Sequence, residues 1–160
     1  MVDKTLHEIK QILTKENKTL MTAESCTGGL ISSKLTDISG SSNFIKSNFV
    51  TYSNQAKTEL LGIDEKTIEK FGVVSKEVAQ SMAQGLIKKY NSDYAISTTG
   101  VLGPKLYNDG NPKGTVFIGF ASKNKNKVIK YQSKRLTRCA IKRDIVEFAL
   151  NSFLEFIKSS

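Results

Sequence analysis

Leu20-Met21-Thr22-Ala23-Glu24-Ser25-Cys26-Thr27-Gly28-Gly29 runs from apolar residues into polar ones and two glycines, after which a helical pattern begins. A strand that hands over to a helix in this way sets a serine beside free backbone N–H groups and the positive end of a helix dipole. Such a turn suits a phosphate, a carboxylate or the oxyanion of an acyl-transfer intermediate.

The flanking residues extend the same β-then-α order. Residues 3–16 read as an amphipathic helix with Leu6, Ile9, Ile12 and Leu13 on one face, followed by a short strand over 19–23. Glycines 28 and 29 open a helix to about Thr36, and Asp37-Ile38-Ser39-Gly40-Ser41-Ser42 is a turn-rich loop. Phe49-Val50-Thr51-Tyr52 has the content of a strand, and Ser53 or Asn54 caps a helix ending at Gly62. Helices over 65–71 and 76–90 follow, then a buried strand at Tyr94-Ala95-Ile96-Ser97 that leads into Thr98-Thr99-Gly100. A hairpin over 114–121 and 127–133 and a long amphipathic helix over 140–158 complete the pattern. Together these predict a layered α/β fold with a mixed sheet, in a single domain over residues 1–160.

Composition narrows the function. The 160 residues are 39% hydrophobic, no apolar run approaches a membrane span, and Met1-Val2-Asp3-Lys4 is no signal-peptide core, so a cytoplasmic protein with no membrane contact is expected. Cys26 and Cys139 lack metal-ligand spacing, and neither a disulfide framework nor a metal site is expected. The net charge of +9 comes from 21 dispersed lysines and only three arginines, Arg135, Arg138 and Arg143. Phosphate-reading surfaces favour arginine with interleaved aromatics, so nucleic acid is not the expected partner and an anionic small-molecule substrate fits the charge.

His7 is the only histidine, and it lies in the first helix, where a surface role is the simplest reading. A Ser-His-Asp or Cys-His centre is therefore not expected. If Ser25 is a nucleophile its base comes from elsewhere, and lysine is the usual substitute. Taken singly, Ser25 also reads as an N-cap and Lys57 as a surface lysine; Cys26 reads as a small buried filler, and Glu24 as either a positioning group or a structural acceptor.

Six segments in order and register carry a family resemblance: Ala23–Gly29, Thr36–Ser42, Phe49–Lys57, Gly72-Val73-Val74-Ser75, Thr99–Pro104 and Gly114-Thr115-Val116. The chain resembles the CinA C-terminal domain family, some of whose members are nicotinamide-nucleotide amidases. The resemblance implies a three-layer α/β/α sandwich that deamidates nicotinamide mononucleotide (NMN) to nicotinic acid mononucleotide and ammonia without metal or cofactor. It implies Ser25 as nucleophile, Lys57 as general base and Tyr52 as a supporting hydroxyl. Backbone N–H groups of Cys26, Thr27, Gly28 and Gly29 are expected to hold the oxyanion. The hydroxyls of Thr27, Ser41, Ser42 and Thr99, with Gly100 and Arg138, are expected at the same sheet edge as substrate contacts.

The lysine has to be tuned. At its ordinary pKa of about 10.4 only roughly one lysine in a thousand is neutral near pH 7, so burial or a nearby positive charge has to lower it. The substrate's pyridinium ring brings one such charge.

Two segments depart from the family pattern. Lys105-Leu106-Tyr107 stands where Asp-Gly-Gly is common after the glycine-proline motif, and Leu136-Thr137-Arg138 stands where Gly-Asp-Arg is common, with Lys142 in place of an arginine four residues on. The second reading is consequently a weak or inactive member that serves as a pyridine-nucleotide binding module, and the third a basic scaffold for nucleic acid. Pyrophosphatase activity, which belongs to the N-terminal domain of longer members, is not expected. The apolar last helix and the hairpin edge fit a homo-oligomer.

Overall fold

Alternation of large and small side chains along the strands decides which helices each face of the sheet carries. A computed structural model describes residues 2–104 and 110–160; the expectation about Lys105, Leu106 and Tyr107 lies outside the described residues. The elements follow as α1 (Val2–Lys15), β1 (Leu20–Glu24), α2 (Leu30–Thr36), a 3-10 turn (Ser41–Asn43), β2 (Ile45–Val50), α3 (Asn54–Leu61), α4 (Glu65–Phe71), α5 (Lys76–Tyr90), β3 (Tyr94–Gly100), β4 (Thr115–Ser122), β5 (Asn126–Gln132) and α6 (Arg138–Lys158). The sheet order is β2-β1-β3-β4-β5. β1 runs parallel to both β2 and β3, whereas β3–β4 and β4–β5 are antiparallel, so the sheet is mixed.

One face presents Leu20, Tyr94, Ile96, Val116, Ile118 and Phe120 to α1, α2 and α6. Phe44, Phe120, Phe153 and Phe156 are all essentially buried in this layer, and each contributes on the order of 2–3 kcal/mol by leaving water. The other face is built from smaller residues, Ala23, Ala95 and Ala121 with Met21, and packs on α3, α4 and α5. There Ser97 Oγ donates to the Ala79 carbonyl at 2.6 Å. A Cβ on Gly119 would come within 2.5 Å of the same carbonyl, so only glycine lets α5 approach this closely. Helices on both faces make the expected three-layer α/β/α sandwich.

Two bounds differ from the sequence expectation. The strand expected at Phe49–Tyr52 runs Ile45–Val50, because pairing with β1 begins at Ile45 and closes where the Thr51 amide donates to the Glu24 carbonyl at 2.8 Å. Tyr52 has already left the sheet. The helix expected to open at Gly28 and Gly29 starts at Leu30, since both glycines have positive φ (+61° and +95°) and make a turn instead.

Candidate active site

β1 is the point at which the sheet changes direction: the chain leaves it through α2 to β2 on one side, then returns through α3, α4 and α5 to β3 on the other. Clefts in open α/β sheets form outside the carboxyl ends of strands at such a point. Ser25 follows β1 there, Thr51 and Tyr52 follow β2, and Gly100 ends β3.

The turn carrying Ser25 is held from below by Glu24. Its carboxylate is fully buried and takes the hydroxyls of Thr27 (2.6 Å) and Ser32 (2.8 Å) and the amides of Gly29 (3.1 Å), Ile31 (3.1 Å) and Ser32 (2.8 Å). A negative charge against the first amides of α2 is electrostatically favoured. Glu24 is thus the structural acceptor of the two roles open to it. Thr27 Oγ1 also shares a 2.8 Å hydrogen bond with Thr98 Oγ1, and the Ser25 amide donates to the Thr98 carbonyl at 3.1 Å, which ties the turn to β3.

Lys57 reaches the same turn from the middle of α3. Ser53 caps that helix by accepting from the Ala56 amide at 3.0 Å, and Gly62 ends it with positive φ. Lys57 Nζ lies 3.2 Å from Ser25 Oγ and donates to the Thr51 carbonyl at 2.7 Å and the Tyr52 carbonyl at 3.4 Å. The side chain is 1% exposed. Burial disfavours its charged form and pulls the amine down to about 8, close enough to neutrality for proton exchange.

A cleft of about 1020 Å³ opens above this pair. Of the expected site residues it is lined by Ser25, Lys57, Tyr52, Cys26, Thr99, Gly100 and Arg138. Cys26 is buried and its thiol is pushed up to about 12 by desolvation, leaving it no nucleophilic thiolate near pH 7. Thr99 Oγ1 donates to the Val73 carbonyl at 2.7 Å. Tyr52 is 62% exposed, and its phenol oxygen accepts from Arg138 at 3.1 Å. Arg138 itself opens α6, where Thr137 Oγ1 takes the Ala140 amide at 3.3 Å, so the threonine supplies the cap that an aspartate would supply there.

The hydroxyls of Thr27, Ser41 and Ser42 and the amides of Gly28 and Gly29 stand elsewhere than expected, whereas the Thr27 amide has no acceptor among the described residues. Thr27 is fully buried and its hydroxyl is spent on Glu24 and Thr98, so it supports the turn without lining the cleft. The Gly28 amide donates to the Ser25 carbonyl at 3.0 Å and that of Gly29 to Glu24, so neither is free for an oxyanion. The Cys26 amide, on the residue after the serine, has no oxygen acceptor among the described residues. Ser41 and Ser42 precede β2 and therefore sit at the amino ends of β1 and β2, a strand's length from Ser25. A loop that follows the intervening helix α2 arrives at the amino ends of the parallel strands, opposite the edge that carries Ser25.

Two contributors escaped the sequence reading. Thr51 acts through its backbone carbonyl, which no residue type announces. Thr98 had a faint signal in the hydroxyl run Ser97-Thr98-Thr99 inside a buried strand. Among the described residues no group of three or more His, Cys, Asp or Glu side chains converges as a metal site, and no helix is long and apolar enough to cross a membrane.

Known proteins share this sequence and architecture. The family model described as the CinA C-terminal domain matches residues 2–157. The nicotinamide-nucleotide amidohydrolase PncC of Enterobacter agglomerans is 41% identical, with 99% of this chain and 100% of that protein covered. A CinA-like protein of Endomicrobium trichonymphae is 42% identical over 92% of this chain, which spans only 33% of that longer relative. The crystal structure of a CinA superfamily protein from Escherichia coli superposes with a TM-score of 0.92 at 31% identity, covering 98% of this chain and 90% of that one. The fold, the matched residues and these relatives agree: the chain belongs to the CinA C-terminal domain family.

Proposed function

We propose that this chain is an amidase that hydrolyses the carboxamide of NMN to nicotinic acid mononucleotide and ammonia, with Ser25 as nucleophile and Lys57 as base. One observation carries the reading: a buried lysine amine with its pKa lowered to about 8 stands 3.2 Å from the hydroxyl of a serine at the mouth of a strand-to-helix turn. The name of the Enterobacter agglomerans relative supports the substrate class.

The chemistry runs in two halves. Neutral Lys57 takes the Ser25 proton as Oγ bonds to the carboxamide carbon, and the carbonyl oxygen becomes an oxyanion facing the Cys26 amide. Collapse breaks the C–N bond while Lys57 returns its proton to the leaving nitrogen, so ammonia departs and an ester to Ser25 remains. Water then adds to the ester with Lys57 again as base, and the second collapse frees the carboxylate and restores the serine hydroxyl. The pyridinium charge of bound substrate lowers the lysine pKa further and so favours the base form.

The carbonyls of Thr51 and Tyr52 aim the amine, and Glu24 holds the nucleophile's turn. A cytoplasmic setting and a homo-oligomer go with this reading; the uncovered edge strand β2, whose Val50 is half exposed, supports the latter. Ammonia release from NMN by the purified chain, beside Ser25→Ala and Lys57→Ala, is the decisive assay. Loss in both variants is expected, and full activity in either would remove the mechanism.

A further inference from the structure

The lysines are spread along the chain, but the acids that would offset them are not. Residues 111–143 hold ten lysines and arginines and no aspartate or glutamate, whereas the other 127 residues hold 14 cations and 15 carboxylates. The whole positive excess therefore belongs to one continuous segment: β4, the edge strand β5, the loop after it and the opening of α6. Lys123, Lys127 and Lys130 are exposed along the hairpin, and Lys134 and Arg135 are exposed beyond its far end. The seven residues of β5 spread these charges over about 23 Å. None of the ten has a carboxylate within ion-pair distance among the described residues; Asp144, the first acid past the segment, accepts from the hydroxyls of Tyr131 (3.1 Å) and Ser133 (2.5 Å).

Leu136 stands out of this band. At 84% it is the most exposed large hydrophobic side chain among the described residues, and Lys134, Arg135 and Arg138 flank it. Its loop is pinned from both sides: the Arg135 amide donates to Ser133 Oγ at 3.3 Å, Lys113 Nζ donates to the Leu136 carbonyl at 2.7 Å, and Thr137 caps α6. An apolar tip is thus held outward inside a collar of cations.

We propose that the loop over 134–137 and the β5 edge form a docking surface for an anionic lipid bilayer, with Leu136 entering the headgroup boundary and the flanking cations meeting lipid phosphates. The inference stands apart from the amidase reading. Charge attraction and the burial of apolar area add together in such contacts, and clustered lysines and arginines are what an anionic leaflet attracts. The expectation of no membrane contact rested on the lack of a spanning segment, which a surface contact does not need. A second copy of the same surface would set ten cations against ten. Nucleic acid fits less well: Phe117, Phe120 and Tyr131 are none of them exposed for stacking on bases, and a duplex offers Leu136 nothing apolar.

The test floats the full chain on vesicles of phosphatidylglycerol and phosphatidylcholine in equal parts, with phosphatidylcholine alone as the uncharged control. Binding to the anionic vesicles only is expected, weakening roughly tenfold or more between about 0.05 and 0.5 M salt as the charges are screened. Lys134→Glu/Arg135→Glu should weaken binding roughly tenfold or more, and Leu136→Ser roughly tenfold at either salt concentration, because its share is apolar. Lys15→Glu/Lys66→Glu, at two exposed lysines outside the segment, changes the net charge equally and should leave binding within about twofold. No binding to anionic vesicles, equal binding to neutral ones, or equal weakening by the two double variants overturns the surface; an unchanged Leu136→Ser overturns the insertion. A random-sequence DNA duplex that displaces the chain from the vesicles at equal phosphate concentration, and holds Leu136→Ser as tightly as the parent, assigns the segment to nucleic acid and overturns the lipid partner.

Discussion

Lys57 Nζ and Ser25 Oγ lie 3.2 Å apart although 32 residues separate them in the chain. The contact exists because α3 descends on the small-residue face of the sheet and drops its buried lysine onto the carboxyl end of β1. Water is kept from the amine by the same packing, which favours its neutral form.

The pH dependence follows from that burial. Proton uptake from Ser25 needs the neutral amine, and the Lys57 pKa stands at about 8, so the reactive fraction grows as pH rises through that value. The kcat/KM for NMN is expected to climb about tenfold per pH unit well below pH 8 and to level off above it. Lys57→Arg, which stays protonated throughout, should be inactive at every pH. A flat profile from pH 6 to 9 would speak against lysine as the base.

Glu24 carries the turn, and its loss should register first as instability. In Glu24→Gln one of the two oxygens becomes an NH2 that faces donors, leaving either the Ser32 N–H and O–H or the Thr27, Gly29 and Ile31 donors without an acceptor. A loss of roughly 2–4 kcal/mol is expected from a buried charged acceptor of several bonds, measured by urea unfolding. A midpoint equal to that of the parent chain would remove Glu24 from this role.

The two cysteines should part company under a thiol reagent. Cys26 is buried with its thiol pushed up to about 12, whereas Cys139 is exposed on α6. Titration of the folded chain near pH 8 is expected to count one reactive thiol without loss of activity, and a second only after denaturation. Rapid reagent-dependent loss of amidase activity in Cys139→Ser, whose one remaining thiol is Cys26, would contradict the burial of Cys26.

Gly85→Ala sets helix propensity against packing. Alanine favours a helix interior by about 1 kcal/mol over glycine. A Cβ at this position of α5, however, would lie 2.2 Å from the Leu61 carbonyl oxygen, and backbone cannot swing aside as a flexible side chain can. Overpacking of about 1–3 kcal/mol should win. Because Leu61 belongs to the helix that carries Lys57, the variant is expected to lose both thermal stability and kcat. A stabilised variant would show that α3 and α5 are not pressed together there.

Much of the fold is legible in the chain because it is local. The apolar spacing in α1 and α6, the caps Ser53 and Ser75, and the glycine stop at Gly62 act within a few residues, and each stands where the sequence puts it. The lone histidine, His7, belongs to the first helix, which leaves lysine as the candidate base.

What the sequence determined by itself was the β-then-α order, the apolar faces and the residue types available for a serine–lysine pair. Only the tertiary structure decided which of them meet: Lys57 with Ser25 and the Thr51 carbonyl, the Tyr52 phenol with Arg138, and Ser41 and Ser42 at the far end of the strands. The physical reason is that side-chain periodicity is set by bonds between near neighbours, whereas strand order, the end of the sheet at which a loop emerges and the donors left unspent depend on pairings across the whole chain.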